Sequence, residues 1–214
     1  MVSIIKKTKA DLVVFPELSV TGYSPQDLLL RKNFIEQNII ALKRIINNTK
    51  NKTAIVGFIE KFNEDIYNSA AIIRNQQIVE IHHKICLPNY TIFDEKRWFK
   101  EGNEATVFEY SNKTIGLSIC EDIWFPETTK QQKNRSADLI INISASPYRK
   151  GKIEAIENVL WQRWEENKVP IIYVNQVGGQ DGIVFYGHSM YFKDGKIVNK
   201  CRDFDEDILI VDVK

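Results

Sequence analysis

The stretch Ile115-Gly116-Leu117-Ser118-Ile119-Cys120-Glu121-Asp122-Ile123-Trp124 decides how the rest of the chain is read. Thr114 to Ile119 has the length and β-branched content of a short buried strand, and it ends abruptly at a cysteine followed by two acids. Downstream, Leu139 to Ile143 repeats the apolar-run pattern, and a helical stretch follows from about Lys152 to Asn167, with Ile153, Ile156, Val159, Leu160 and Trp164 on one face. Beyond Pro170 the pattern returns to strand at Ile171 to Val174. Val184 to Phe192 and Lys196 to Lys200 read as a hairpin around Asp194-Gly195, and Ile208 to Val213 as a closing strand.

Upstream, Asp11 to Phe15 is a compact apolar run that stops at Pro16, as a buried strand does on leaving its sheet. From Gln26 to about Asn47, Leu29, Ile35, Ile39, Leu42, Ile45 and Ile46 recur at helical spacing. Ala54 to Ile59 is a further strand, and Asn68 to Ile73 pairs with Ile78 to His83 through a turn at Asn75, Gln76 and Gln77. Strands alternating with helices, with several hairpins and no repeat or linker, predict one layered α/β domain with a mixed sheet. Met1 to Lys9 looks like the tail of a helix feeding the Asp11 strand, so an opening strand and part of a helix are expected to be missing from the front.

Composition supports an ordered, water-facing protein. The chain has 214 residues, 43% hydrophobic and 27% charged, with 29 basic against 28 acidic residues and a net charge of +1. That balance gives no reason to expect nucleic acid or an acidic membrane as a partner. Apolar runs such as Leu12 to Phe15 are far short of the ~20 residues that span a bilayer. Lys6, Lys7 and Lys9 interrupt the front before a signal-peptide core develops, so a cytoplasmic address is expected. Cys86, Cys120 and Cys201 form no C-x-x-C pair, which predicts neither a disulfide framework nor a zinc site. Cys86 and Cys201 read as small buried hydrophobes.

Three places join a reactive side chain to the end of a strand, where α/β proteins build sites. Glu17 follows Phe15-Pro16, Lys84 lies between His83 and the Leu87-Pro88-Asn89-Tyr90 turn, and Cys120 ends its strand. Taken singly, Glu17 reads as a surface or capping acid and Lys84 as an exposed charge. Cys120 is open to either reading: an inert strand-end thiol, or a nucleophile in a strand–nucleophile–helix turn whose backbone N–H groups lower its pKa and bind an oxyanion. His82, His83 and His188 sit in no partner motif for a thiol and read as structural or exposed.

Together, in order and in local wording, the three resemble the Glu–Lys–Cys triad of the nitrilase (carbon–nitrogen hydrolase) superfamily. The flanking words resemble the glutaminase domain of glutamine-dependent NAD synthetases. They run from Ala10 through Phe15-Pro16-Glu17-Leu18-Ser19-Val20-Thr21-Gly22-Tyr23, through Lys84 with Leu87-Pro88-Asn89-Tyr90 and Phe93-Asp94-Glu95-Lys96-Arg97, to Cys120-Glu121-Asp122-Ile123-Trp124. Asn142-Ile143-Ser144-Ala145-Ser146-Pro147-Tyr148 completes them. The resemblance implies a four-layer αββα sandwich, lacking its first strand here and often doubled across a subunit interface. Residues 1–214 would form a single, N-terminally truncated amidase domain without a synthetase domain.

The resemblance also implies roles. Cys120 would attack the side-chain amide carbon of glutamine to form a thioester, with Glu17 as general base and Lys84 stabilising the oxyanion beside the backbone N–H after Cys120. Glu95 and Glu121 would support them, Tyr23 and Tyr90 would line the pocket, and Ser146 and Lys152 would hold the substrate's amino-acid end. No metal and no cofactor are implied for the amide step; ATP and magnesium belong to a synthetase half whose Ser-Gly-Gly phosphate loop is not in this sequence. A separate NAD synthetase module is the implied partner for the ammonia, and a homo-oligomer the implied assembly. Two other readings stand beside this one: a free-standing aliphatic amidase or nitrilase, and a non-catalytic fragment acting as an interaction subunit, whether piece, split subunit or decaying gene product.

Overall fold

The computed structural model describes residues 1–213, which fall into two compact units, Met1–Glu104 and the remainder from Ala105. In the first unit, helix α1 (Val2–Lys7) leads into β1 (Leu12–Val14), α2 (Lys32–Ile46), β2 (Thr53–Phe62), β3 (Asp65–Arg74) and β4 (Gln77–His83). The strands form one sheet in the order β1-β2-β3-β4, with β1 parallel to β2 and the other pairs antiparallel. Ile5 of α1 and Leu42 and Ile45 of α2 pack on Val13, Ala54, Val56 and Phe58. Thr53 to Ile59 is buried without interruption, so β2 shows no polar alternation in its sequence.

The helical periodicity from Gln26 resolves into two pieces. Gln26–Leu30 is a short 3₁₀ turn, and α2 begins only after Arg31, whose extended backbone (φ −95°, ψ 107°) breaks the helix. Apolar spacing reports which face is buried, and it continues across a break that preserves the face.

The second unit contains β5 (Thr106–Tyr110), β6 (Lys113–Ile119), α3 (Pro126–Asn134), β7 (Leu139–Ser144), α4 (Lys152–Asn167), β8 (Ile171–Asn175), β9 (Val177–Gln180), β10 (Ile183–Tyr186), β11 (Met190–Lys193) and β12 (Lys196–Lys200). Six strands form a sheet in the order β12-β11-β8-β7-β6-β5, with β6, β7 and β8 parallel. Ile156, Val159 and Leu160 of α4 cover Ile140, Ile171, Tyr173 and Met190. The sequence reading misses β5, which pairs with β6 through a turn at Ser111 (φ 49°) and Asn112 (φ 64°).

Two strands read from the sequence differ. Val184 to Phe192 is not continuous: Gly187 (φ 68°) and His188 (φ 60°) turn the chain, so β10 pairs with β9 and only β11 pairs with β12. The β11–β12 turn is Asp194-Gly195, with φ of 52° and 73°, the twist a two-residue hairpin requires. Ile208 to Val213 forms no strand; Ile208 and Ile210 are exposed, and apolar alternation without a paired edge satisfies no backbone hydrogen bonds. Among the described residues, no helix is long and apolar enough to cross a membrane.

Candidate active site

The first unit gathers four of the residues singled out above. Lys84 Nζ donates to Glu17 Oε1 at 2.6 Å and to Glu95 Oε1 at 2.7 Å, and Tyr23 OH donates to the same Glu95 oxygen at 2.6 Å. Glu17, Lys84, Glu95 and Tyr23 are each 2% exposed or less, which overturns the surface reading that Glu17 and Lys84 receive when taken singly. A lysine and two acids enter a dry interior only as partners, because each would otherwise carry an uncompensated desolvation cost. One ammonium facing two carboxyl groups leaves a charge in excess. Burial accordingly pushes the Glu95 carboxyl up to about 7; Lys84 opposes the rise and Glu17 adds to it.

Backbone geometry delivers these groups. Beyond β1 the chain crosses β2 at Gly57, where a Cβ would lie 2.4 Å from Leu18 N and 2.5 Å from the Pro16 carbonyl oxygen. Only a glycine permits this approach, and Val20 N–H donates to the Gly57 carbonyl at 3.1 Å. Lys84 is held at the end of β4 by its own N–H to the Asn68 carbonyl (2.9 Å) and by Gly102 N–H to its carbonyl (2.8 Å). Glu95 opens the short 3₁₀ turn Glu95–Arg97. Tyr90 is 51% exposed and packs edge-on against Phe93, which in turn meets Tyr23.

The second unit holds the thiol. Cys120 follows β6 directly, is nearly buried, and has φ 45°, a left-handed conformation that costs a non-glycine residue about 1–2 kcal/mol. Strain of this kind at a strand end turns the side chain out of the sheet's alternation. Asp122 Oδ2 accepts the Ile119 N–H at 2.8 Å and ties the turn Cys120–Trp124 to its strand. Glu121 is buried in the same turn.

Lys152 opens α4 with its ammonium 4.0 Å over the Trp124 ring. Burial lowers its pKa; Cys120 and Glu121 oppose the drop, while Arg149 adds to it. Ser146 is buried, its N–H donating to Asn175 Oδ1 at 2.8 Å.

Several contributors are residues to which the sequence assigned no role. Asn68 Nδ2 donates to Glu17 Oε1 at 2.7 Å. At the carboxyl ends of the parallel strands, Asn142 Nδ2 donates to Ser118 Oγ at 3.0 Å and Ser144 Oγ to Asn142 Oδ1 at 2.8 Å. Tyr173 and Tyr186 are fully buried, and burial pushes the Tyr186 phenol up to about 12, so it stays a neutral hydroxyl. Asn142 and Ser144 stand within the Asn142–Tyr148 wording quoted above, which assigned them no role; a polar Asn within the apolar run Leu139 to Ile143 is a further signal of this row. Two of the histidines face carboxylates: His83 meets Glu60 at 2.6 Å, and His188 lies between Asp203 (2.6 Å) and Glu157 (3.1 Å). Cys201 is buried, while Cys86 is only half-buried.

The chain as a whole is similar to known proteins. The family model for carbon-nitrogen hydrolases matches residues 1–214. The glutamine-dependent NAD(+) synthetase of Aquifex aeolicus is 41% identical over 206 residues, covering 95% of this chain and 36% of that protein. That of Thermotoga maritima is 41% identical over 209 residues, with the same two coverages of 95% and 36%. The chain thus spans little more than a third of the length of these curated relatives. The solved glutamine-dependent NAD+ synthetase of Acinetobacter baumannii matches with a TM-score of 0.88 at 37% identity, over 96% of this chain and 39% of that one. An amidase from Nesterenkonia sp. matches at 0.84 with 21% identity, over 95% of this chain and 77% of that one, which shows a shared fold. On both sequence and fold, this chain belongs to the carbon–nitrogen hydrolase family.

Proposed function

We propose that the chain hydrolyses the side-chain amide of glutamine to glutamate and ammonia through a thioester on Cys120, and that the ammonia serves NAD synthesis. The observation that carries this reading is the buried Lys84 held at 2.6 and 2.7 Å by two carboxyl groups. A fold does not maintain that charge cluster for stability, since apolar residues of similar volume would serve it as well or better. The relatives from Aquifex aeolicus and Thermotoga maritima, both named glutamine-dependent NAD(+) synthetases, suggest the substrate. Residues 1–214 are read as one amidase domain, since the family model runs through both units.

In the proposed reaction Glu17 takes the Cys120 proton as sulfur attacks the amide carbon. Lys84 and the backbone N–H that follows Cys120 stabilise the oxyanion. The C–N bond breaks as Glu17 returns the proton to nitrogen, releasing ammonia and leaving the γ-glutamyl thioester. Water, deprotonated by Glu17, then attacks the thioester carbon; the C–S bond breaks and Glu17 returns the proton to sulfur, giving glutamate and the free thiol. Glu95 and Glu121 support the charges, Tyr23 and Tyr90 line the pocket, and Ser146 and Lys152 hold the amino-acid end. These steps use protein groups alone, ATP and magnesium being needs of the synthetase module that receives the ammonia. A cytoplasmic, homo-oligomeric protein completes the reading.

The test is ammonia release from glutamine by the purified chain beside Cys120→Ala, with mass spectrometry for a γ-glutamyl adduct on Cys120. Release by the wild type and none by the variant is expected. Equal release by both refutes the reading, and turnover of simple aliphatic amides without glutamine would move the assignment to a free-standing amidase.

A further inference from the structure

Asn68 lies on β3, 1% exposed, and touches the buried cluster twice. Its side-chain Nδ2 donates to Glu17 Oε1 at 2.7 Å, the oxygen that also receives Lys84 Nζ at 2.6 Å. Its backbone carbonyl accepts the Lys84 N–H at 2.9 Å. One residue therefore fixes the carboxylate through its side chain and the ammonium-bearing residue through its backbone. Asn68 Oδ1, by contrast, is buried without a hydrogen-bond partner. An orphaned acceptor is a cost to the fold that an apolar isostere would not carry. Stability thus does not account for an amide here, while the Nδ2 donor to Glu17 does.

We propose that Asn68 is a positioning residue for amide hydrolysis: it commits one Glu17 oxygen to a fixed pair of donors and so aims the carboxylate for proton transfer. This rests on the reading of the site as an amidase. An ionised carboxylate rotates freely about its terminal torsion unless its oxygens are held, and general-base transfer depends on heavy-atom distances near 3 Å. Two donors from different directions, Asn68 and Lys84, leave Oε1 a single favourable placement. The groups facing Asn68's side chain are Glu17 and, through it, Lys84, Glu95 and Tyr23.

Asn68→Leu keeps the shape and deletes both the donor and the orphan, and Asn68→Asp keeps the shape while replacing the donor with a third acid. For Asn68→Leu, kcat for ammonia release is expected to fall about 10- to 100-fold with KM within about threefold, while the melting midpoint holds or rises. For Asn68→Asp, kcat falls similarly and the acid limb of the pH profile moves upward, because a third carboxyl competes for Lys84. Unchanged kcat in Asn68→Leu overturns the proposal, as does a loss that only follows a lowered melting midpoint. If the wild type acts on small amides but not on glutamine, the substrate reading fails and the same variants are scored on those amides. If the wild type turns over neither, the amidase reading fails and the proposal falls with it, an outcome set apart from an unchanged kcat in Asn68→Leu, which overturns the role of Asn68 alone.

Discussion

Gly57→Ala is the sharpest probe of how Glu17 is positioned. A methyl group at this position would stand 2.4 Å from Leu18 N, 2.5 Å from the Pro16 carbonyl oxygen and 2.8 Å from the Glu17 carbonyl carbon. All three are backbone atoms, so no side chain can swing aside. Restoring ordinary contact near 3.5 Å requires β2 and the Pro16–Leu18 segment to part by roughly 1 Å. The Glu17–Lys84 contact of 2.6 Å would then stretch toward 3.6 Å, beyond a useful hydrogen bond. A 1 Å misplacement of a reacting group costs on the order of 10²-fold in rate, and overpacking costs about 1–3 kcal/mol in stability. The assay is kcat/KM for glutamine beside urea denaturation, with Gly179→Ala as control, where the nearest atom lies at an ordinary 3.8 Å. A fully folded Gly57→Ala protein with kcat/KM within about twofold of wild type would refute the argument that close backbone approach sets the base, given the scale of loss expected.

The Glu95 carboxyl, raised from 4.5 to about 7 chiefly by burial, binds its proton more tightly folded than unfolded. Its contribution is fully present below about pH 4.5 and is lost as pH rises through about 7, so Glu95→Gln should flatten the fall in melting temperature across that window; an unaltered slope counts against the shift. Cys120→Gly should be more stable than Cys120→Ala by about 1 kcal/mol, because glycine tolerates φ 45° and alanine does not; equal urea midpoints would show that the turn is unstrained.

Legibility followed range. The apolar run ending at Cys120 was readable because a buried strand and its terminus are local patterns, and β6 stops at Ile119 as that run implies. The Asp194-Gly195 hairpin was readable because its turn chemistry is local too. β5 escaped although Thr106, Val107, Phe108 and Tyr110 are strand-forming residues, because a five-residue run is short and its pairing with β6 is what makes it a strand. Ile208 to Val213 carried the signal and found no paired edge.

By itself the sequence determined the alternation of strands and helices, the strand-end placement of Glu17, Lys84 and Cys120, and the wording that resembles one hydrolase family. The tertiary structure alone decided that Glu17, Lys84, Glu95 and Tyr23 are buried together, that Asn68 holds the first of them, and that Gly57 must be glycine. Lys84 and Glu17 are 67 positions apart, and Tyr23 and Glu95 are 72. Whether such groups meet depends on desolvation and on distances of a few tenths of an ångström, and these exist only once the strands between them have paired.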